Sequence, residues 1–196
     1  MWACSVGDSF TLRVKLSAVV IWLCFFTFDH SLQTLLLFLA MLVHEGGHLL
    51  CLFWCGKRRV RMTFSAFGAE IYYTPALCGL GRELWVALGG VVCNLLAAGI
   101  GLMPGFGRAG LFFAVASFSL AFLNLLPIRS LDGGRALAAV LERKWEPDRA
   151  YRWQKCISFV CLGALYGLSF FVLVQSGFNF SLFLLTLYLT LSLLGK

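Results

Sequence analysis

At 196 residues, with 60% hydrophobic side chains, 13% charged ones and a mean hydropathy of +0.87, the chain lies far outside average soluble composition and reads as a polytopic membrane protein. A net charge of +7 would suit nucleic acid, but the basic residues sit in short connections between apolar runs, so topology accounts for them and no nucleic-acid partner is expected. Eight cysteines would suggest a disulfide scaffold in a small secreted protein; here Cys24, Cys51, Cys93, Cys156 and Cys161 lie inside apolar runs, as small packing residues do.

The first apolar segment runs from about Leu12 to Phe28, with Arg13 and Lys15 near its start. Basic residues before a short apolar core also fit a signal peptide, but no small-residue cleavage site follows. A retained first helix whose basic side chains snorkel to the interface is therefore expected.

Residues 31–55 form a second helix carrying His44-Glu45-Gly46-Gly47-His48 and ending before Gly56-Lys57-Arg58-Arg59. Two histidines four residues apart project from one helix face and can grip one metal ion, leaving Glu45 beside it. Counting back at about 1.5 Å per residue puts them roughly 14 to 20 Å below the basic cluster, near the membrane interior. An H-E-x-x-H string arises by chance in a chain this long on the order of once in two hundred sequences. The bland alternative is a pair of buried histidines, but three ionisable groups in an apolar span are costly and mark function. Gly46 and Gly47 weaken a helix; their expected value is the close approach of a neighbouring segment. Cys51 and Cys55 share this helix face, so a second ligand set is conceivable, though a catalytic zinc does not need one.

From Arg59 to Pro75 the period changes: Val60, Met62 and Phe64 alternate with Arg61, Thr63 and Ser65, and Gly68 precedes Ala69-Glu70-Ile71-Tyr72-Tyr73. This is either a short hairpin beside the membrane, with an edge able to accept an extended peptide, or a plain surface loop. Glu70 could contact substrate, cap a strand or face solvent.

A third helix is expected from about Glu83 to Met103, a turn at 104–107, and a fourth helix from about Ala109 to Leu126. Asn124, Pro127 and Leu131-Asp132-Gly133-Gly134 then break the apolar run. Non-helical backbone at membrane depth is tolerated where it lines a cavity or is buried in protein, which makes Asp132 the third candidate ligand. As an Asp-Gly pair it also fits a turn or helix cap. Residues 142–155 read as a polar connection with an amphipathic piece, and apolar runs at 156–174 and 178–194 close the chain. Six spans with the amino end inside put every Lys and Arg except Arg108 on the cytoplasmic side, as the positive-inside rule requires.

The expectation is an all-α polytopic membrane protein of about six transmembrane helices, with a short membrane-associated β-hairpin after the second. Two neutral imidazoles and a carboxylate leave an open position, the arrangement of a catalytic zinc, and Glu45 is suited to move protons during attack on a carbonyl. Asn94 and Asn124 are candidates for holding a peptide or an oxyanion, and equally for helix-to-helix hydrogen bonds. His30 reads as an ordinary surface residue.

His44-Glu45-Gly46-Gly47-His48 together with Asn124-Leu125-Leu126-Pro127-Ile128-Arg129-Ser130-Leu131-Asp132-Gly133-Gly134 resembles the site-2 protease family of intramembrane zinc metalloproteases, matching its N-x-x-P-x-x-x-L-D-G signature in order and separation. A weaker element, G-P-x-x-N, appears as Gly90-Val91-Val92-Cys93-Asn94 with the proline replaced. The resemblance implies one Zn2+ held by His44, His48 and Asp132, Glu45 as base, and a peptidase core over residues 11–141 with trailing helices at 156–194, the whole chain forming one membrane-embedded domain. The layout looks most like the bacterial sporulation branch, which processes a sigma-factor precursor. That implies a bacterial cell membrane and a membrane-embedded or membrane-tethered protein substrate; the six spans put the amino and carboxyl ends in the cytoplasm, no PDZ-like or nucleotide-sensing domain is expected, and an oligomer is possible but not predicted. The alternative is a catalytically silent membrane binding factor or a metal carrier with the same fold.

Overall fold

A computed structural model describes the chain except residues 1, 7–9, 30, 56–59, 66–67, 74–79, 177–179 and 195–196. In order the elements are β1 (Trp2–Val6), β2 (Phe10–Val14), α1 (Leu16–Phe28), α2 (Leu32–Trp54), β3 (Val60–Ser65), β4 (Gly68–Tyr73), α3 (Leu80–Gly101), α4 (Gly107–Leu125), α5 (Asp132–Lys144), α6 (Pro147–Gln175) and α7 (Ser181–Leu194). His30 lies outside the described residues, as does the side chain of Glu70.

The amino-terminal region departs from the expected single helix. Phe10-Thr11-Leu12-Arg13-Val14 alternates apolar and polar side chains, and that period forms strand β2, so Arg13 belongs to a strand and α1 starts only at Leu16. Strand β2 pairs antiparallel with β1 and parallel with β3, and β3 pairs antiparallel with β4 from Val60↔Tyr73 to Ser65↔Gly68. The result is a four-stranded sheet in the order β1-β2-β3-β4. Because β2 and β3 each have partners on both sides, the outer strands of this sheet among the described residues are β1 and β4.

Among the described residues four helices are long and apolar enough to cross a membrane: α2, residues 81–101 of α3, α4 and α6. At 13 and 14 residues, α1 and α7 are only about 20 Å long, short of the roughly 30 Å hydrocarbon core. The stretch 142–155 is largely helical: after α5 ends at Lys144, Pro147 opens α6, where its missing N–H costs nothing, and the helix continues unbroken to Gln175. Its buried residues Ala150, Gln154, Ser158 and Leu162 recur every fourth position and form one face.

The helices pack as membrane helices do. Much of what is buried is small or polar, including Ala40, Ala87, Ala98, Ala114, Ala121, Ala139, Ser117 and Thr186, while Leu, Phe and Trp side chains cover the outside. Lipid tails are as apolar as leucine, so close backbone approach and internal hydrogen bonds hold such helices together. On α7, Thr186 meets Ser169 of α6 at 3.0 Å and Thr190 meets Tyr166 at 3.1 Å. Helix α2 is started by Ser31, whose hydroxyl accepts from Thr34 N–H at 3.4 Å, and Asp29 accepts from the Thr34 hydroxyl at 2.6 Å.

Helix α3 is the most enclosed span and packs on α2, α4 and α5. Its closest crossing is with α2, where a Cβ on Gly47 would collide with the Gly89 carbonyl and one on Gly89 would lie 2.7 Å from the Gly47 carbonyl oxygen. Of the two glycines in the H-E-x-x-H segment, Gly47 makes this crossing; Gly46 faces open space. Gly89→Val should therefore destabilise the protein by about 1–3 kcal/mol, the usual range for overpacking. Gly99→Val, placed where nothing lies within 4 Å, should be near neutral, with unfolding in detergent micelles comparing the two.

Candidate metal centre

His44 and His48 occupy the middle of α2, and Asp132 is the first residue of α5, beyond a break at residues 126–131. The break holds its shape through short backbone bonds, Ile128 N–H to Leu126 O at 2.8 Å and Leu131 N–H to Ile128 O at 2.8 Å. Gly133 and Gly134 let α5 begin directly against it, since side chains there would strike the Leu125 and Ile128 carbonyls. Positive φ among the described glycines occurs at Gly105 and Gly107, so the value of Gly133 and Gly134 lies in close approach rather than unusual dihedrals.

Three buried atoms converge. Asp132 Oδ2 lies 2.9 Å from His44 Nε2 and 3.0 Å from His48 Nε2, and the two Nε2 atoms are 3.3 Å apart. This is the one group of His, Cys, Asp and Glu among the described residues that could hold a metal ion; Cys51 and Cys55 form no second set. The second Asp132 oxygen sits 3.7 Å from Arg135 Nη1. The carboxylate faces the histidines and does not cap its own helix, and its place in the first turn of α5 suits a negative charge.

The protonation pattern tests whether a cation fits. His48 Nδ1 lies 2.7 Å from the Val86 carbonyl, which only accepts, so Nδ1 must carry the proton. In a neutral ring, His48 Nε2 then presents a lone pair to a carboxylate oxygen 3.0 Å away. Two lone pairs at that distance repel unless a positive charge lies between them. A tetrahedral zinc with bonds near 2.0–2.1 Å would hold its ligand atoms about 3.3 Å apart, close to the observed separations. The donor set and its spacing therefore fit zinc.

Helix α3 supplies the floor. A Cβ on Gly90 would lie 2.5 Å from His48 Nε2 and 2.9 Å from His44 Nε2, so only glycine lets α3 pass here. Asn94 is fully buried, with Nδ2 3.4 Å from His44 Nδ1. Asn124 is apart in its bonding: one of its two amide N–H groups donates to Leu120 O of its own helix at 3.0 Å.

Sequence reasoning missed the part played by α6. Buried Gln154 donates to the Gly134 carbonyl at 2.8 Å. Ser158 accepts from Arg129 N–H at 3.2 Å and reaches the carbonyls of Pro127 at 3.1 Å and Gln154 at 2.9 Å. These bonds fix the segment that presents Asp132. The signal was the Ala150-Gln154-Ser158-Leu162 stripe, which runs from the charged stretch into the apolar run that follows.

Gly90→Ala should weaken zinc binding at least about tenfold, because its methyl group displaces both imidazoles; competition with a chromophoric chelator measures it. Gln154→Leu and Ser158→Val should each weaken zinc about 10–100-fold without touching a ligand, the range seen when supports of ligands are lost.

No curated protein matches the chain. In fold the chain is similar to the Site-2 Protease from Methanocaldococcus jannaschii, with a TM-score of 0.66 and 17% identity over 96% of this chain and 91% of that one. Residues 103–165, which hold Asp132, Gln154 and Ser158 but not the H-E-x-x-H segment, match the model of Peptidase family M50.

Proposed function

We propose that the protein is an intramembrane zinc metalloprotease that hydrolyses peptide bonds of membrane-spanning or membrane-tethered protein substrates. The observation that carries this reading is the convergence of His44, His48 and Asp132 at the centre of a membrane-length helix, with Glu45 adjoining His44. The match of residues 103–165 to Peptidase family M50 and the fold likeness to a site-2 protease support it.

His44 Nε2, His48 Nε2 and Asp132 Oδ2 would hold the ion. Zinc bound there supplies Lewis acidity toward a carbonyl and toward water. Glu45 takes the proton from the attacking water and passes it to the leaving amine. A neighbouring Glu is apt for this because it can stay beside the ligands without occupying their face of the helix. Asn124 has a second amide N–H left for the peptide or its oxyanion.

A helical substrate keeps its carbonyls hydrogen-bonded, so it must be locally extended before attack. Strand β4, Gly68–Tyr73, is an outer strand of the sheet among the described residues and suits the capture of such a segment as an added strand, since the other side of β3 is occupied by β2. From there the segment passes to the centre between α2 and α4. The layout of strands directly after the metal helix, with α6 and α7 trailing, supports a relation to the sporulation branch. The substrate class is accordingly a sigma-factor precursor or an anti-sigma factor, in a bacterial membrane. Six spans, with α1 and α7 counted among them, put both ends of the chain and the basic connections in the cytoplasm.

Glu45→Gln should lower cleavage by about 10²–10⁴-fold while leaving the zinc content unchanged. Mapping of new amino termini in membranes expressing either form reads this out and names the substrate. Identical fragment sets in substrate-containing membranes, with zinc bound, would instead favour a silent binding factor.

A further inference from the structure

The environment of Asn94 holds a mismatch. Its side chain is fully enclosed in the middle of α3, and its Oδ1 has no hydrogen-bond partner. Its Nδ2, a donor only, faces His44 Nδ1 at 3.4 Å. If Nδ1 accepted this bond, the ring proton would sit on Nε2, and Nε2 could not ligate a metal. An orphaned buried carbonyl oxygen would also remain, at a cost of about 1–3 kcal/mol.

One rotation gives the orphaned oxygen a donor and leaves His44 Nε2 free, with the amide NH2 moved to the place Oδ1 held. The two ends of a carboxamide have nearly the same size, and the hydrogen-bond network is what tells them apart. Turned by 180° about Cβ–Cγ, Asn94 places Oδ1 against His44 Nδ1. That nitrogen then carries the proton and donates it, and Nε2 turns its lone pair toward Asp132 and His48.

His48 already has this arrangement, its Nδ1–H donating to the Val86 carbonyl. Val86, Gly90 and Asn94 follow one another at intervals of four and share one face of α3. The first holds His48, the second leaves room for both rings, and the third stands at His44.

Resting on the metal-centre reading above, we propose that Asn94 is a positioning residue: its Oδ1 accepts from His44 Nδ1–H and fixes the tautomer that leaves Nε2 for the metal. It acts on the histidine, and substrate does not reach it. The two histidines thereby share a matched pair of acceptors on a single helix, Val86 for His48 and Asn94 for His44.

The test uses the purified full chain in detergent, with zinc alone as the probe. Nitrogen NMR of the zinc-loaded wild type with 15N-histidine reads the tautomer without any substitution at Asn94. A protonated Nδ1 on His44 is expected, and an unprotonated one overturns the proposal. Zinc affinity is then compared for Asn94→Leu, which keeps the volume without an acceptor, and Asn94→Asp, which keeps the acceptor. Asn94→Leu should bind zinc 10–100-fold more weakly, and Asn94→Asp should stay within a few-fold of wild type. Equal zinc affinity in Asn94→Leu and wild type overturns the assignment while the metal centre stands, as does an Asn94→Asp loss equal to that of Asn94→Leu. A wild type that takes up no zinc overturns the metal-centre reading and this inference together.

Discussion

The structure depends on an electrostatic conflict that a bound cation resolves. A carboxylate oxygen and two imidazole nitrogens stand 2.9–3.3 Å from one another in a buried space, and at His48 the ring proton is committed to the far side by Val86. In a buried space of low polarity such a cluster is costly, and a proton or a metal ion between the ring nitrogens and the carboxylate relieves it. Much of the surrounding architecture serves to bring these atoms together. Gly47 and Gly89 let α2 and α3 touch, Gly90 clears the rings, and the break after α4 aims α5 so that its first residue points inward.

Packing around the centre follows from the solvent. Burial of large apolar groups gains little in a membrane, so beside a few leucines such as Leu52 and Leu162 the helices bury much alanine, serine and threonine, and most leucine and phenylalanine face outward. Hydrogen bonds take over what a hydrophobic core does elsewhere. Those from Gln154 and Ser158 make α6 a brace for the Asp132 segment, although α6 contributes no ligand. The hydrogen bonds that hold the Asp132 segment therefore come in part from residues past 141, at 154 and 158.

The centre was the most legible part of the sequence because its chemistry is written in residue types that an apolar span otherwise avoids. His44, His48 and Asp132 needed only a helical period and a helix break to be brought together. The helix limits of α2, α3 and α4 followed from hydropathy to within a few residues. At the amino terminus two signals overlapped: the alternation of Phe10 to Val14 ran straight into the apolar run of α1, and the longer run masked the shorter period. Strand β2 is also set by a distant partner, β3, which no local pattern reveals. At residues 142–155, charge density suggested a connection, yet Pro147 at a helix start and one buried face suffice for a continuous helix. Asn94 stood out as a polar group in a span, but its neighbour could be learned only from the crossing of α2 with α3.

The separation of the ligands along the chain has a thermodynamic consequence. Asp132 follows His48 by 84 residues, so an ion held between them closes a loop that contains β3, β4, α3 and α4. A cross-link over such a span would remove on the order of 4 kcal/mol of loop entropy from a chain unfolded in water. Within a bilayer the separated helices persist as helices, so the link restricts their arrangement more than their backbones. Occupancy and assembly are then thermodynamically linked: free ion concentration sets how firmly the two halves are joined, and the joined halves set how tightly the ion is kept.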